Sequence, residues 1–266
     1  MRRIATSLSA LVAIAALLAG CGGSSDSTSA GSASPSASKS PAVTGTINVF
    51  AAASLQEAFT KLGGQFEAAH PGSKVMFNFG PSSGLSEQIG QGAPADVFAS
   101  ASTKNMDTVV SSGDAANPTN FVSNTMEIAV PPKNPAGITK LDDLAKKGVK
   151  VALCQAEVPC GATALKVFDN ANIKVTPVTQ EVDVKSTLSK VTLGEVDAGV
   201  VYVTDVRAAG ASVKGIEIPA DVNASTTYPI AALTASKNKT TAQAFVDYVL
   251  SPDGLAALTA AGFSGP

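Results

Sequence analysis

The chain has 266 residues, of which 45% are hydrophobic and 15% are charged, and its formal net charge is −2 at pH 7. A mildly acidic chain without a basic run argues against nucleic acid as a partner. The chain has no Trp, three Tyr and, beyond its first three residues, a single arginine, Arg207. This composition argues against a carboxylate or organophosphate site built on guanidinium groups, and against a sugar site built on aromatic rings.

Residues 1–20 have the pattern of a lipoprotein signal peptide. Two arginines precede an apolar run, and residues 18–21 (LAGC) have the form of a lipobox. We expect cleavage before Cys21 and lipidation of Cys21, which anchors the mature protein to the outer face of the cell membrane. An ordinary secretory signal is the alternative. Cleavage removes two arginines and no acids, so the net charge changes from −2 to −4.

Residues 21–43 are predicted to be a flexible linker that carries the lipidated Cys21. Apart from this cysteine they are almost entirely Gly, Ser, Thr, Ala and Pro, a composition with little apolar surface to bury. The folded body is therefore expected to begin near residue 44.

The body opens with a strand, Ile47–Ala51, that leads directly into a helix. Ser54 and Glu57 fit a capping box at the start of that helix. One buried stripe is predicted on it, formed by Leu55, Phe59, Leu62 and Phe66. A helix that begins just after a strand presents unpaired N–H groups and its positive dipole end to the space beyond the strand, which suits an anion.

The same arrangement recurs along the chain. Strands are predicted at 74–79, 96–99, 126–130, 149–153, 198–203 and 228–233, with a helix after most of them. Asp183 is a predicted N-cap for the helix Val184–Leu193, and Ser251 is one for the last helix. Repeated strand–helix units predict α/β lobes, each a mainly parallel sheet flanked by helices.

Two prolines after Met126–Val130 end that strand, and we expect the chain to cross into a second lobe near them. It returns before the strand Tyr228–Leu233. The predicted first lobe is therefore 44–126 together with 221–266, and the predicted second lobe is 127–220.

Residues 80–84 (GPSSG) match the G-x-S-x-G pattern of serine hydrolases. In that fold the histidine base follows the nucleophile, whereas the only histidine, His70, precedes it. No spaced pair of carboxylates indicates acid–base chemistry. Asp96 is interpreted as a residue that caps the backbone. We therefore expect a protein that is not an enzyme and has no cofactor.

Cys154 and Cys160 are candidates for a disulfide, because two cysteines in an exported body usually pair. The alternative, a metal site, would need more thiolate or histidine ligands nearby.

Small polar residues stand at several helix starts, and one tyrosine ends a buried strand. They are Ser54, Ser82 or Ser83, Cys160 with Gly161, Asp183 with Val184, and Tyr202. Neutral N–H and O–H groups of this kind can hold a tetrahedral oxyanion without a buried countercharge.

Four stretches carry a resemblance to a known family: 49–55 (VFAAASL), 92–98 (GAPADVF), 158–161 (VPCG) and 199–202 (GVVY). Over roughly 44–264 the chain resembles the molybdate-binding proteins of ABC importers. The resemblance implies the type II periplasmic-binding-protein fold, in which two α/β lobes close over a ligand in the cleft between them.

The resemblance also implies a set of ligand donors: the hydroxyl of Ser54, that of Ser82 with Ser83 as a rival, the amides of Cys160 and Val184, and the hydroxyl of Tyr202. Molybdenum then enters only as the bound oxyanion, with no direct protein ligand. This chain departs from the family pattern at Pro81 and at Cys160.

These observations predict an extracytoplasmic, lipid-anchored protein that captures molybdate, and also tungstate, for an ABC permease, and that acts as a monomer. The alternatives are a binding protein for sulfate or phosphate, and a ligand-sensing lipoprotein without a transporter.

Overall fold

The computed structural model describes residues 42–266. The predicted signal peptide, almost all of the linker and the lipidation site Cys21 lie outside the described residues. Nine strands and eight α-helices occur in the described part of the chain. None of these helices is both long enough and apolar enough to cross a membrane.

The strands are β1 (Gly45–Ala52), β2 (Ser73–Gly80), β3 (Val97–Ala99), β4 (Thr119–Val130), β5 (Val151–Cys154), β6 (Thr179–Glu181), β7 (Ala198–Tyr202), β8 (Lys214–Glu217) and β9 (Ser225–Ala232). The helices are α1 (Gln56–Ala69), α2 (Ser82–Gly90), α3 (Thr103–Ser111), α4 (Pro159–Asn170), α5 (Val184–Thr192), α6 (Val203–Ala209), α7 (Lys239–Leu250) and α8 (Pro252–Ala261). Short 3-10 turns cover Ala53–Leu55, Leu141–Ala145 and Gly210–Ser212.

The strands form two groups that share one long strand. Their order is β2-β1-β3-β9-β4-β7-β5-β6, and β8 pairs with β4. Strands β1, β2 and β3 are parallel, as are β5, β6 and β7, whereas β4 and β9 run antiparallel to their neighbours. Each group is therefore a mainly parallel sheet with antiparallel additions.

Strand β4 belongs to both groups. Its residues 119–125 pair with β9, and its residues 126–130 pair with β7 and β8. We call the group with β1–β3 and β9 the first lobe, and the group with β5–β8 the second lobe. The residue boundaries of the lobes, 44–126 with 221–266 and 127–220, stay a prediction.

The first lobe has apolar clusters on both faces of its sheet, because alternate residues of β1 point to opposite sides. Ile47, Val49 and Ala51 belong to the cluster that includes α1, α7 and α8 residues. Phe50 belongs to a second cluster with α2 and α3 residues. The predicted stripe of α1 is fully buried in the first of these clusters.

The second lobe has one cluster, formed around β5, β7 and the helices α4 and α5. Every residue of β7 is buried, as expected for a strand covered on both faces. Ala53, which directly follows β1 of the first lobe, also belongs to this second-lobe cluster. The turn after β1 therefore packs against the other lobe.

Candidate functional site

A small cavity of about 20 Å³ lies where the two lobes meet. Five of the six residues predicted as ligand donors line it: Ser54, Ser82, Cys160, Val184 and Tyr202. The first lobe contributes the two serines, and the second lobe contributes the other three. Ser83 does not line the cavity. The structure thus brings together residues that are up to 148 positions apart in the sequence (202 − 54).

Ser54 lies in the 3-10 turn after β1, and α1 begins two residues later. The predicted capping box is wrong, because the helix start has no side-chain cap. The Ser54 hydroxyl lies 2.8 Å from the Tyr228 hydroxyl instead, and Glu57 binds Lys185. The 3-10 turn moves the serine side chain away from the first amides of α1 and towards the cavity and β9.

Ser82 is the first residue of α2 and is buried. Its Oγ accepts a hydrogen bond from the Ala101 N–H at 2.9 Å. Since the oxygen is used as an acceptor, the hydroxyl proton is available as a donor towards the cavity. Ser83 is only partly buried, and its carbonyl accepts from the Ser86 hydroxyl in the next turn.

The start of α4 brings Cys160 to the cavity. Pro159 is the first residue of the helix, where its missing N–H costs nothing. Cys154 and Cys160, for which a disulfide is predicted, are joined by a disulfide bond with their Cα atoms 5.8 Å apart. At Gly161 a side chain would collide with the carbonyl of Gln155. The loop before α4 is therefore packed tightly against the helix start.

The start of α5 brings Val184 to the cavity. Asp183 is the N-cap, as predicted, and its carboxylate accepts from the Ser186 N–H at 2.7 Å. The predicted apolar positions of this helix, Val184, Leu188 and Val191, are buried. The first N–H groups of a helix have no acceptor within the helix, so Val184 can donate outwards.

Tyr202 ends β7 with its side chain 1% exposed. Within the described residues its hydroxyl has no hydrogen-bond partner. Burial raises the pKa of Tyr202 and of its neighbour Tyr228, so both are neutral hydroxyls at physiological pH. A buried unpaired hydroxyl is costly and is normally satisfied, so this hydroxyl is open to an acceptor that enters the cavity.

One cation lies beside the cavity, and the sequence interpretation missed its surroundings. Lys185 forms ion pairs with Glu57 at 2.7 Å and with Asp205 at 2.9 Å. Burial raises the pKa of Asp205 to about 6, against the opposing effect of Lys185. Burial alone would lower the pKa of Lys185, but Asp205 and Glu57 together raise it. Charged residues usually lie in solvent, so their sequence pattern gave no sign of this contact.

Other chemistry considered from the sequence finds no support in the described residues. Between 42 and 266 no group of three or more His, Cys, Asp or Glu residues could hold a metal ion. His70 packs against the ring of Phe66 and does not line the cavity. Asp96 accepts from the Asn48 N–H at 2.7 Å, in agreement with its predicted role as a backbone cap.

Residues 47–264 match a protein family described as bacterial extracellular solute-binding protein. The molybdate-binding protein ModA of Mycobacterium tuberculosis is 42% identical over 239 residues, which cover 89% of this chain and 92% of that protein. ModA of Escherichia coli is 31% identical over 238 residues, which cover 83% of this chain and 89% of that protein.

Solved structures give the same result for the fold. The periplasmic molybdate-binding protein of Azotobacter vinelandii matches with a TM-score of 0.74 at 21% identity, covering 83% of this chain and 99% of that one. A substrate-binding domain of a molybdenum ABC transporter from Clostridium difficile matches with a TM-score of 0.64 at 29% identity. The match covers 83% of this chain and 99% of that one.

The chain therefore belongs to the bacterial extracellular solute-binding proteins, and it is a binding protein rather than an enzyme. The expected type II periplasmic-binding-protein fold is confirmed. The resemblance to molybdate-binding proteins seen in the sequence is confirmed as well, since the relatives named above carry that description.

Proposed function

We propose that this protein captures molybdate, and also tungstate, outside the cytoplasm and delivers the anion to the permease of an ABC importer. The observation that carries the proposal is the cavity between the lobes. Neutral donors from both lobes line it, and one of them, the buried Tyr202 hydroxyl, has no partner among the described residues.

The donor set is suited to a fully deprotonated oxyanion. Two serine hydroxyls, one tyrosine hydroxyl and the amides of Cys160 and Val184 can offer hydrogens to an acceptor, and Ser54 does so when the Tyr228 hydroxyl donates to it. An anion with four equivalent oxygens accepts from every one of them. Binding then replaces the hydration shell of the anion by preorganised N–H and O–H groups, which need little reorganisation.

The cavity also limits the size of the ligand. A volume of about 20 Å³ is well below the several hundred Å³ of sites for organic ligands. A space of this size holds about one water molecule, so the lobes must separate slightly to admit a tetrahedral oxyanion and much further to admit a nucleotide or a sugar. Molybdenum would be present only as the centre of the oxyanion, with oxygen atoms between it and every protein group.

Monohydrogen phosphate carries a proton that needs an acceptor, and Asp183 is the one carboxylate among the lining residues. Asp183 accepts from the Ser186 N–H through Oδ1, and a carboxylate can accept a further hydrogen through its other oxygen, so phosphate is a competitor to test. Sulfate, like molybdate, is fully deprotonated and differs from it mainly in size. A sulfate-binding protein of Mycobacterium tuberculosis shares the fold with a TM-score of 0.69 at 18% identity, over 83% of this chain and 86% of that one, so sulfate is a competitor to test as well.

The transport step follows from the two-lobe construction. Both lobes contribute donors, so the anion is enclosed when they close, and we propose that the permease responds to this closed form. We further propose that the protein is a monomer and that the lipid on Cys21 holds it at the outer face of the cell membrane, near the permease. Residues 21–43 then form a flexible linker between the lipid and the folded body. A ligand-sensing lipoprotein remains the alternative, and a permease gene beside this one would argue against it.

Isothermal titration calorimetry with molybdate, tungstate, sulfate and phosphate tests the proposal. We expect one-to-one binding of molybdate and tungstate, and weaker binding of sulfate and phosphate. If sulfate bound as tightly as molybdate or more tightly, sulfate rather than molybdate would be the proposed ligand. No heat with any of the four anions would contradict the oxyanion proposal.

A further inference from the structure

Glu57 and Lys185 form an ion pair that joins the two lobes. Lys185 Nζ lies 2.9 Å from Glu57 Oε1 and 2.7 Å from Glu57 Oε2. Glu57 is in the first turn of α1, in the first lobe, and Lys185 is in the first turn of α5, in the second lobe. We call this contact the cleft ion pair.

The cleft ion pair is tied to the cavity through the chain itself. Glu57 is three residues after Ser54, and Lys185 directly follows Val184. Asp205, the second partner of Lys185, is three residues after Tyr202, and its carboxylate accepts from the Tyr202 N–H at 3.2 Å. Each of the three charged residues thus stands one turn or less beyond a residue that lines the cavity.

The two carboxylates have different surroundings. Asp205 is in the same lobe as Lys185 and its side chain is 0% exposed, so this pair does not depend on how far the lobes are apart. Glu57 is in the other lobe and its side chain is 52% exposed. Asp205 therefore holds the ammonium in place, and Glu57 reaches it only when the lobes are together.

Resting on the proposed function, we infer that Glu57 is a positioning residue whose ion pair with Lys185 holds the lobes closed and slows release of the bound anion. Glu57 does not touch the anion, because its carboxylate would repel it and is bound to Lys185. An interaction made only in the closed state lowers the dissociation rate more than it changes the association rate.

The test compares Glu57→Gln with Glu87→Gln in the full-length protein. Both substitutions remove one negative charge from an exposed helical glutamate that does not line the cavity. Glu87 is on α2 and, among the described residues, forms no salt bridge with the second lobe, whereas Glu57 pairs with Lys185. Molybdate is the probe, and stopped-flow fluorescence or calorimetric kinetics gives the rates. We expect Glu57→Gln to raise the dissociation rate by up to about fivefold, as for a partly exposed ion pair, and Glu87→Gln to leave it unchanged.

Two further readouts separate this role from a structural one. The rate difference between the parent and Glu57→Gln should shrink as KCl is raised, because salt screens a half-exposed ion pair. The unfolding midpoint of the anion-free protein should not change. Equal dissociation rates for the parent and both variants would overturn the inference alone, whereas a parent that does not bind molybdate would overturn the proposed function and this inference with it.

Discussion

Ser82 and Ser83 are adjacent at the start of α2, but only Ser82 lines the cavity. We therefore predict that Ser82→Ala weakens molybdate binding about tenfold or more, because a hydrogen bond to a charged group contributes about 1.5–3 kcal/mol. Ser83→Ala is the matched control and should bind like the parent. Calorimetric affinities check this, and a larger loss for Ser83→Ala would mean that the second donor has been assigned to the wrong serine.

The Tyr202 hydroxyl is buried and without a protein partner in the described residues, so its removal should affect binding and stability differently. We predict that Tyr202→Phe weakens molybdate binding about 10- to 100-fold, while the anion-free protein is as stable as the parent or more so. Tyr248→Phe is the control, because Tyr248 lies on α7 and does not line the cavity. Unchanged affinity in Tyr202→Phe would remove the hydroxyl from the donor set.

At the residue scale, the sequence predicted the groups that line the cavity better than it predicted their contacts. Ser54 was expected to cap α1, but its hydroxyl pairs with Tyr228, a residue 174 positions away. Local patterns such as a capping box describe interactions within a few residues. Contacts such as Ser54 with Tyr228, or Lys185 with Glu57 and Asp205, depend on how distant elements pack, and no short pattern encodes them.

Among the elements, the loop between β5 and α4 is held by the Cys154–Cys160 disulfide, with a sequence separation of 6. A bridge that closes so short a loop stabilises by about 2 kcal/mol. We predict that the double substitution Cys154→Ala with Cys160→Ala lowers the free energy of unfolding by about this amount. Urea unfolding measures it.

The same variant should also bind molybdate more weakly, because the bridge fixes the loop that precedes the Cys160 amide. Reduction of the parent with dithiothreitol is the matching experiment and should give the same two changes. A variant with unchanged stability and affinity would show that the bridge does not support the start of α4.

The elements themselves were largely predictable where apolar patterns are strong. The buried β1 and β7 and the stripe of α1 all appear where the pattern placed them. Strand β6 has three residues, none of them fully buried, and α6 directly follows β7 without a turn, so neither leaves a recognisable pattern. Strand β4 begins seven residues before its predicted start, because residues 119–125 pair with β9 from the far end of the chain.

For the whole molecule, the buried Asp205 links stability to pH. Its pKa is raised to about 6, above that of an unfolded aspartate, so its ionisation lowers stability as the pH rises from about 4 to 6. Lys185 limits this loss. We predict that Lys185→Met destabilises the protein by about 3 kcal/mol at pH 7, since an unpaired buried carboxylate is costly.

The loss of stability in Lys185→Met should be smaller at pH 5, because Asp205 is protonated there in the variant and no charge is buried. Lys190→Met, on the same helix but in an exposed pair with Glu195, is the control and should change little at either pH. Chemical denaturation at pH 5 and pH 7 measures both variants. A loss that is the same at the two pH values would contradict the link between Lys185 and the charge of Asp205.

The most direct test of the account is a crystal structure of the protein with molybdate, in which the anomalous scattering of molybdenum locates the metal. The account predicts a single molybdenum peak in the cavity between the lobes, with its oxygens in hydrogen-bond contact with Ser54, Ser82, Tyr202 and the amides of Cys160 and Val184. A peak elsewhere, or direct coordination of molybdenum by a protein side chain, would contradict it.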